Sequence, residues 1–164
     1  MEHEAVLLTH AEVAVALAGF ASVVAALRRP LTPIDRQRFL ALLFLALVQV
    51  LGCLGPIWLD SFVVNPAVLW RSSSLTILVL AALHYVFLVF RPLRRLAVTF
   101  QLINPAVSII SRCGVALYLL GFLFNTLGVP LAPGFPLYYF SLTAGLGLGF
   151  VVFADVVVGR SAEP

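Results

Sequence analysis

Long apolar runs separated by short polar connections dominate the chain. Five runs are long enough to cross a bilayer, because about 20 helical residues span roughly 30 Å of hydrocarbon. We predict membrane-spanning helices at about residues 5–27, 39–59, 66–90, 107–129 and 137–158. The pattern therefore predicts an all-α polytopic membrane protein, a five-transmembrane-helix bundle that forms a single transmembrane domain over residues 1–164.

The positions of the arginines predict the orientation of these helices. Nine of the ten arginines lie within residues 28–38, within residues 91–112 or at Arg160. Because positively charged connections remain in the cytoplasm, the N-terminus is predicted to be outside and the C-terminus cytoplasmic. Aromatic residues are enriched at membrane interfaces, and four of them fall at the predicted outer interface: Trp58, Trp70, Tyr138 and Tyr139.

The composition agrees with a location in lipid. Hydrophobic residues make up 62% of the chain, charged residues 10%, and the mean hydropathy is +1.11. A soluble domain of 17.7 kDa would leave much of this apolar surface in water, so a lipid bilayer is the predicted partner. The net charge of +3 divides into a positive inner and a negative outer side. It therefore signals orientation and does not predict nucleic-acid binding. The composition of the first helix resembles that of small bacterial membrane proteins, which predicts a bacterial inner (plasma) membrane.

Ionisable and polar residues in or near the spans are the candidate functional residues, because a charge at mid-bilayer costs about 3 kcal/mol. The candidates for an ion pathway are Glu12, Asp60, His84, Asn125 and Asp155. Glu12 and Asp60 would form an acidic outer vestibule that concentrates cations. Arg71 and Arg112 are candidates for structural ion pairs. In the alternative interpretation, Arg71 pairs with Glu12 or Asp60 and these groups only hold the helices together.

Three of the in-span candidates, His84, Asp155 and Asn125, have a structural alternative as well. His84 is either a hydrogen-bonded core histidine or part of the pathway. Asp155 is either neutralised by cytoplasmic arginines or acts as an inner gate. Gln49 and Asn125 are suited to hydrogen bonds between helices.

Small residues form stripes on the first and fifth predicted helices. Ala14, Ala18 and Ser22 recur every four residues in the first helix, and Gly145 and Gly149 form a Gly-xxx-Gly pair in the fifth. Small residues at this spacing let helix backbones approach closely in lipid. The stripes predict either packing within one chain or an interface between the subunits of an oligomer.

The tetrapeptide Asn-Pro-Ala-Val occurs at residues 65–68 and 104–107. Its Asn-Pro-Ala part resembles the paired signature of aquaporins, which implies two half-helices that meet at mid-bilayer. The chain departs from that family because each tetrapeptide opens a full-length span and because Arg71 and Arg112 follow several residues later. The residues themselves favour helix capping by Asn, with Pro at the first helical position.

The predicted function is that of a homo-oligomeric channel or conduit for cations or protons. The sequence contains no catalytic constellation and no metal-ligand spacing, so neither an enzyme nor a cofactor is predicted. The alternative is a non-catalytic assembly or signalling subunit that binds another membrane protein. A haem protein would need His10 and His84 as facing ligands, and this is the third hypothesis.

Overall fold

The computed structural model describes residues 3–27, 33–84, 105–129 and 134–158. All regular structure in these ranges is helical, which confirms the all-α prediction. The five helices are α1 (Glu4–Leu27), α2 (Pro33–Leu59), α3 (Pro66–His84), α4 (Pro105–Leu127) and α5 (Phe135–Val158). The rest of the third predicted span, the Asn104 cap and most of the arginine-rich connections lie outside the described residues.

Helix α2 begins earlier than its apolar run. The apolar pattern predicted a start near residue 39, whereas the helix starts at Pro33 and includes Arg36 and Arg38. Proline suits a first helical position, because the N–H that it lacks would have no partner there. The apolar run therefore marks where lipid-facing residues begin, which is later than the start of the helix.

Local residues fix two of the helix ends, one of them as predicted. Asn65 Oδ1 accepts a hydrogen bond of 2.9 Å from the Ala67 N–H at the start of α3, so the capping interpretation holds for the first Asn-Pro-Ala-Val. Helix α4 ends at Leu127, and Gly128 follows it with a φ of 70°, a conformation that glycine adopts without strain.

The helices form an up-and-down bundle. α2 packs against α1, α3 and α5, and α5 contacts each of the other four helices, whereas α1 packs mainly on α2 and α5. The N-termini of α1, α3 and α5 meet, because the His3 ring stacks on Phe135 (centroids 3.7 Å apart) and lies 6.2 Å from Trp70. We call this end of the bundle the outer end, after the predicted orientation.

The bundle exposes apolar side chains and buries polar ones. Phe20, Leu47 and Leu117 are 65%, 52% and 51% exposed, whereas Gln49 and Asn125 are each 1% exposed. This distribution suits a lipid surrounding, where the solvent is apolar. Four helices (α1, α2, α3 and α5) contain a segment that is long and apolar enough to cross a membrane, and α4 contains a shorter one, Arg112–Leu127. The count of five crossings and the orientation stay predictions.

The interior at the outer end is aromatic. Trp70 and Tyr138 are 6% and 0% exposed, whereas Trp58 is 66% exposed. The Tyr138 hydroxyl donates to the Gly52 carbonyl at 2.5 Å, which fixes α5 to α2. Two of the four residues expected at the lipid interface, Trp70 and Tyr138, therefore face the protein interior. For Tyr138 the bond to Gly52 supplies the partner that a buried hydroxyl needs.

Candidate functional site

Helix α1 buries one face and turns the opposite face outward. The buried face includes Leu7, Ala14 and Ala21. On the opposite side, exposed positions recur at alternating steps of four and three residues, a spacing that keeps them in line along the helix. We call them the outward stripe of α1: Ala5, Thr9, Glu12, Ala16, Gly19, Val23 and Ala26.

The outward stripe differs in chemistry from the exposed faces of α2 and α4. α2 exposes Leu40, Leu43, Leu47, Leu51 and Leu54, and α4 exposes Leu117, Leu120 and Leu123. Such leucine-rich faces suit lipid tails. The outward stripe instead carries mostly small side chains, although the larger Leu8, Val15 and Phe20 are exposed beside it. A Cβ added at Gly19 would meet no atom within 4 Å. The backbone of α1 is therefore open to close approach by another helix or by water.

Glu12 is the charged group of this stripe. It lies eight residues after Glu4, which places it about 12 Å along the helix at 1.5 Å per residue. Thr9, one turn before it, donates its hydroxyl to the Ala5 carbonyl of the same helix at 3.0 Å. The Glu12 side chain is exposed. Lipid tails solvate a carboxylate poorly, so this position favours a contact with water or with another polar group.

The other ionisable ion-pathway candidates are spread over the bundle. Asp60 is exposed in the turn after α2. His84 is the last residue of α3 and Asp155 belongs to α5. The structure describes the backbone of both residues but not their side chains. α3 starts at the outer end and has 19 residues, so His84 is about 27 Å below its start. His10 is near the outer end, and the two histidines are therefore at very different depths.

The two candidate ion-pair arginines occupy different surroundings. The Arg71 guanidinium lies against Gly128 at the end of α4. There it faces the partial negative charge of the helix C-terminus. Arg112 is exposed in α4. The predicted pairing of Arg71 with Glu12 or Asp60 stays a prediction.

Asn125 joins three helices at the outer end. Its Nδ2 donates to Ser74 Oγ at 2.8 Å and to the Trp70 carbonyl at 3.4 Å, both in α3. Its Oδ1 accepts a hydrogen bond of 2.9 Å from the Gly134 N–H, directly before α5. These bonds use both ends of the amide, so the contacts of Asn125 indicate a structural clasp.

Replacing Asn125 with leucine should weaken this clasp. Bonds between membrane helices contribute about 0.6 kcal/mol each on average, and Leu would leave Ser74 Oγ and the Gly134 N–H without this partner. We expect unfolding to become easier by about 1–2 kcal/mol, measured as the midpoint of denaturation in detergent micelles. Thr143→Ala is the control, because Thr143 is exposed and its hydroxyl donates to the Tyr139 carbonyl of its own helix. Equal stability of the two variants would contradict the assignment.

A second polar contact links α1, α2 and α5. His10 Nε2 lies 3.3 Å from the side-chain amide of Gln49. With the amide oriented to satisfy both of its ends, its nitrogen donates to the Leu142 carbonyl at 3.2 Å and its oxygen accepts from the Leu146 N–H at 3.3 Å. A Cβ at Gly145 would overlap this amide and the Tyr118 ring. Glycine is thus required where Gln49 and Tyr118 meet the α5 backbone.

The predicted small-residue stripes are partly buried within the chain. Gly145 and Gly149 are both buried, and a Cβ at Gly149 would lie 2.9 Å from a methyl of Leu17. In α1, Ala14 is buried, Ala18 is half-buried and Ser22 is exposed. The i+4 series turns around α1 because each four-residue step exceeds one helical turn. Gly145 and Gly149 thus pack α5 within one chain.

Sequence reasoning missed the outward stripe as a unit, although Glu12 was a candidate. The signal was present in the alternating four- and three-residue spacing of Thr9, Glu12, Ala16 and Gly19. Among the described residues, no three His, Cys, Asp or Glu side chains are grouped as a metal site would need. Tyr118 and Ser73 have buried hydroxyls without a hydrogen-bond partner in the described part of the chain.

Comparison with known proteins finds no matching family model, no matching curated protein and no matching solved structure.

Proposed function

We propose that the protein is a homo-oligomeric membrane conduit in which α1 of each subunit faces the symmetry axis. The supporting observation is the outward stripe of α1, which carries small side chains and Glu12 on a helix that packs mainly on α2 and α5. Closed rings are the common form of homo-oligomers. Small side chains toward the axis would leave room for water, and the leucine-rich faces of α2 and α4 would meet lipid.

In this arrangement Glu12 forms an acidic ring in the outer part of the conduit. A ring of carboxylates concentrates cations and disfavours anions. Below it, Ala16, Gly19 and Val23 form an apolar stretch that suits a gate closed by dewetting. The proposed cargo is therefore cations or protons, and the proposed location is a bacterial inner membrane with the N-terminus outside. The proposal assigns no catalysed reaction to the chain.

The Glu12→Gln variant tests this proposal. In liposomes at low ionic strength we expect cation flux about tenfold below that of the unmodified protein, because the local cation concentration falls when the ring loses its charge. The difference should shrink at high salt, which screens the ring. The measurement is the flux of a monovalent cation into the liposomes, compared with the flux of chloride under the same conditions.

Asp60→Asn is the comparison variant, since it removes one negative charge at the same end of the bundle from the turn after α2, outside the outward stripe. We expect it to retain most of the flux. If Glu12→Gln conducts like the unmodified protein, or if liposomes with the unmodified protein stay tight to cations and protons, the conduit proposal fails.

The second candidate is a non-conducting assembly or signalling subunit. The same outward stripe favours it, because a carboxylate among small residues also suits a partner helix that brings a basic or hydrogen-bonding side chain. This function predicts co-purification of a different membrane protein at fixed stoichiometry and no ion flux. Loss of that complex in Glu12→Gln, with the fold intact, would favour it over the conduit.

A further inference from the structure

A pocket at the outer end lies apart from the outward stripe of α1. It has a volume of about 360 Å³ and opens between the first residues of α1, α3 and α5. This volume is within the range of small-ligand sites, roughly 300–1,000 Å³. The pocket is at the ends of three helices, where a membrane-embedded bundle meets the lipid headgroups.

Aromatic rings and one arginine give the pocket its chemistry. Trp70, Phe135 and His3 contribute the rings, with Trp70 and Phe135 centroids 5.2 Å apart and His3 stacked on Phe135. Pro66 and Pro136 add apolar wall, and Arg71 lines one side. Among the described lining residues none is acidic. The pocket therefore combines an apolar wall with a fixed positive charge.

We propose that this pocket binds a phosphate ester that carries an apolar body, with the headgroup of an anionic phospholipid as the favoured source. The planar guanidinium of Arg71 matches two phosphate oxygens at once. The glycerol and first acyl carbons would pack on Trp70 and Phe135. Aromatic rings also attract cations, but the charge of Arg71 repels a cation from the same space.

The site is independent of the conduit, because neither Glu12 nor another residue of the outward stripe lines it. Loss of phosphate binding would therefore leave the conduit proposal standing, and loss of conduction would leave this site standing. The bound lipid would join α1, α3 and α5 at their outer ends.

The test is a titration of the full chain in a neutral detergent with short-chain phosphatidylglycerol, short-chain phosphatidylcholine and glycerol phosphate, followed by native mass spectrometry. We expect phosphatidylglycerol to bind and Arg71→Gln to weaken this binding about tenfold, because the variant loses the charge-assisted hydrogen bonds to the phosphate. Arg112→Gln is the matched control and should bind normally, because Arg112 is exposed elsewhere on α4.

A second variant leaves the charge in place. Ala67 lines the pocket and is exposed, so Ala67→Phe should fill the space and abolish binding even if Arg71→Gln fails to fold. Binding of glycerol phosphate with the same dependence on Arg71 would identify a free phosphate ester as the source. The proposal would be overturned if the unmodified protein and Ala67→Phe both bound phosphatidylcholine as well as phosphatidylglycerol. It would also be overturned if the unmodified protein bound none of the three probes.

Discussion

Gly145→Leu is expected to prevent stable folding of the bundle. At this position α5 is in contact with the Gln49 amide and the Tyr118 ring, and even a Cβ would overlap both. A leucine would push Gln49 away from the Leu142 carbonyl and separate it from His10. Overpacking and the lost hydrogen bonds together should cost about 3 kcal/mol. The measurement is the denaturation midpoint in detergent, together with the yield of protein that is not aggregated.

Gly147→Leu provides the matched control for this prediction. Gly147 lies two residues further along α5, is exposed, and has no atom within 4 Å of an added Cβ. The same substitution there should leave the midpoint nearly unchanged or raise it slightly, since leucine favours helix over glycine. Similar destabilisation at both positions would mean that the contact of Gly145 with Gln49 and Tyr118 is not the cause.

The type and approximate position of the helices follow from apolar length over the residues that the structure describes. There each of the five apolar runs coincides with a helix, and the capping role of Asn65 could be predicted because Asn before Pro is a strong helix-start pattern. The start of α2 at Pro33 was not predicted, because the prediction followed the apolar residues and not the backbone geometry. Helices can extend beyond the apolar run into charged residues such as Arg36.

The direction in which each residue faces was harder to predict, because nearly every residue of a membrane helix is apolar. Hydrophobic contrast normally reveals the buried face of a helix, and here α1 carries small or apolar residues all round. The i+4 stripe through Ala14, Ala18 and Ser22 seemed a single face, yet it runs from a buried residue to an exposed one. A 3.5-residue spacing would have identified both the buried face and the outward stripe.

Polar residues gave better guidance than apolar ones. Gln49 and Asn125 were expected to bond between helices, and both do so in the buried interior. Their partners could not be predicted, because His10, Ser74 and the Gly134 N–H are brought near them only by the order in which the helices pack. Asn125 was also a candidate for an ion pathway, and that role stays a prediction beside its observed structural one.

The buried polar contacts and the outward stripe suggest a division of roles within the bundle. Asn125 and Gln49 use their hydrogen-bonding atoms on neighbouring helices, which favours a rigid subunit. Glu12 is on a face that α2 and α5 leave exposed. A rigid subunit with one small, charged face is compatible with the proposed ring, in which the same face repeats around the axis.

Ala16→Leu is expected to disrupt the proposed ring and leave the subunit folded. Ala16 is exposed on the outward stripe, one turn after Glu12, so leucine should not disturb the packing of α1 on α2 and α5. Added bulk at a close helix contact or in a narrow lumen should reduce ion flux at least about tenfold, by analogy with small-residue interfaces in membranes. Subunit count in nanodiscs and flux in liposomes are the two measurements.

Ala116→Leu is the control that separates the stripe from the rest of the surface. Ala116 is also exposed, but it belongs to α4, whose outer face is leucine-rich already. The Ala116→Leu variant should assemble and conduct like the unmodified protein. Both variants should keep the denaturation midpoint of the unmodified protein. An unchanged subunit count and unchanged flux in Ala16→Leu would contradict the proposed position of α1 at the axis. A changed subunit count together with a different co-purifying protein would instead favour the assembly function.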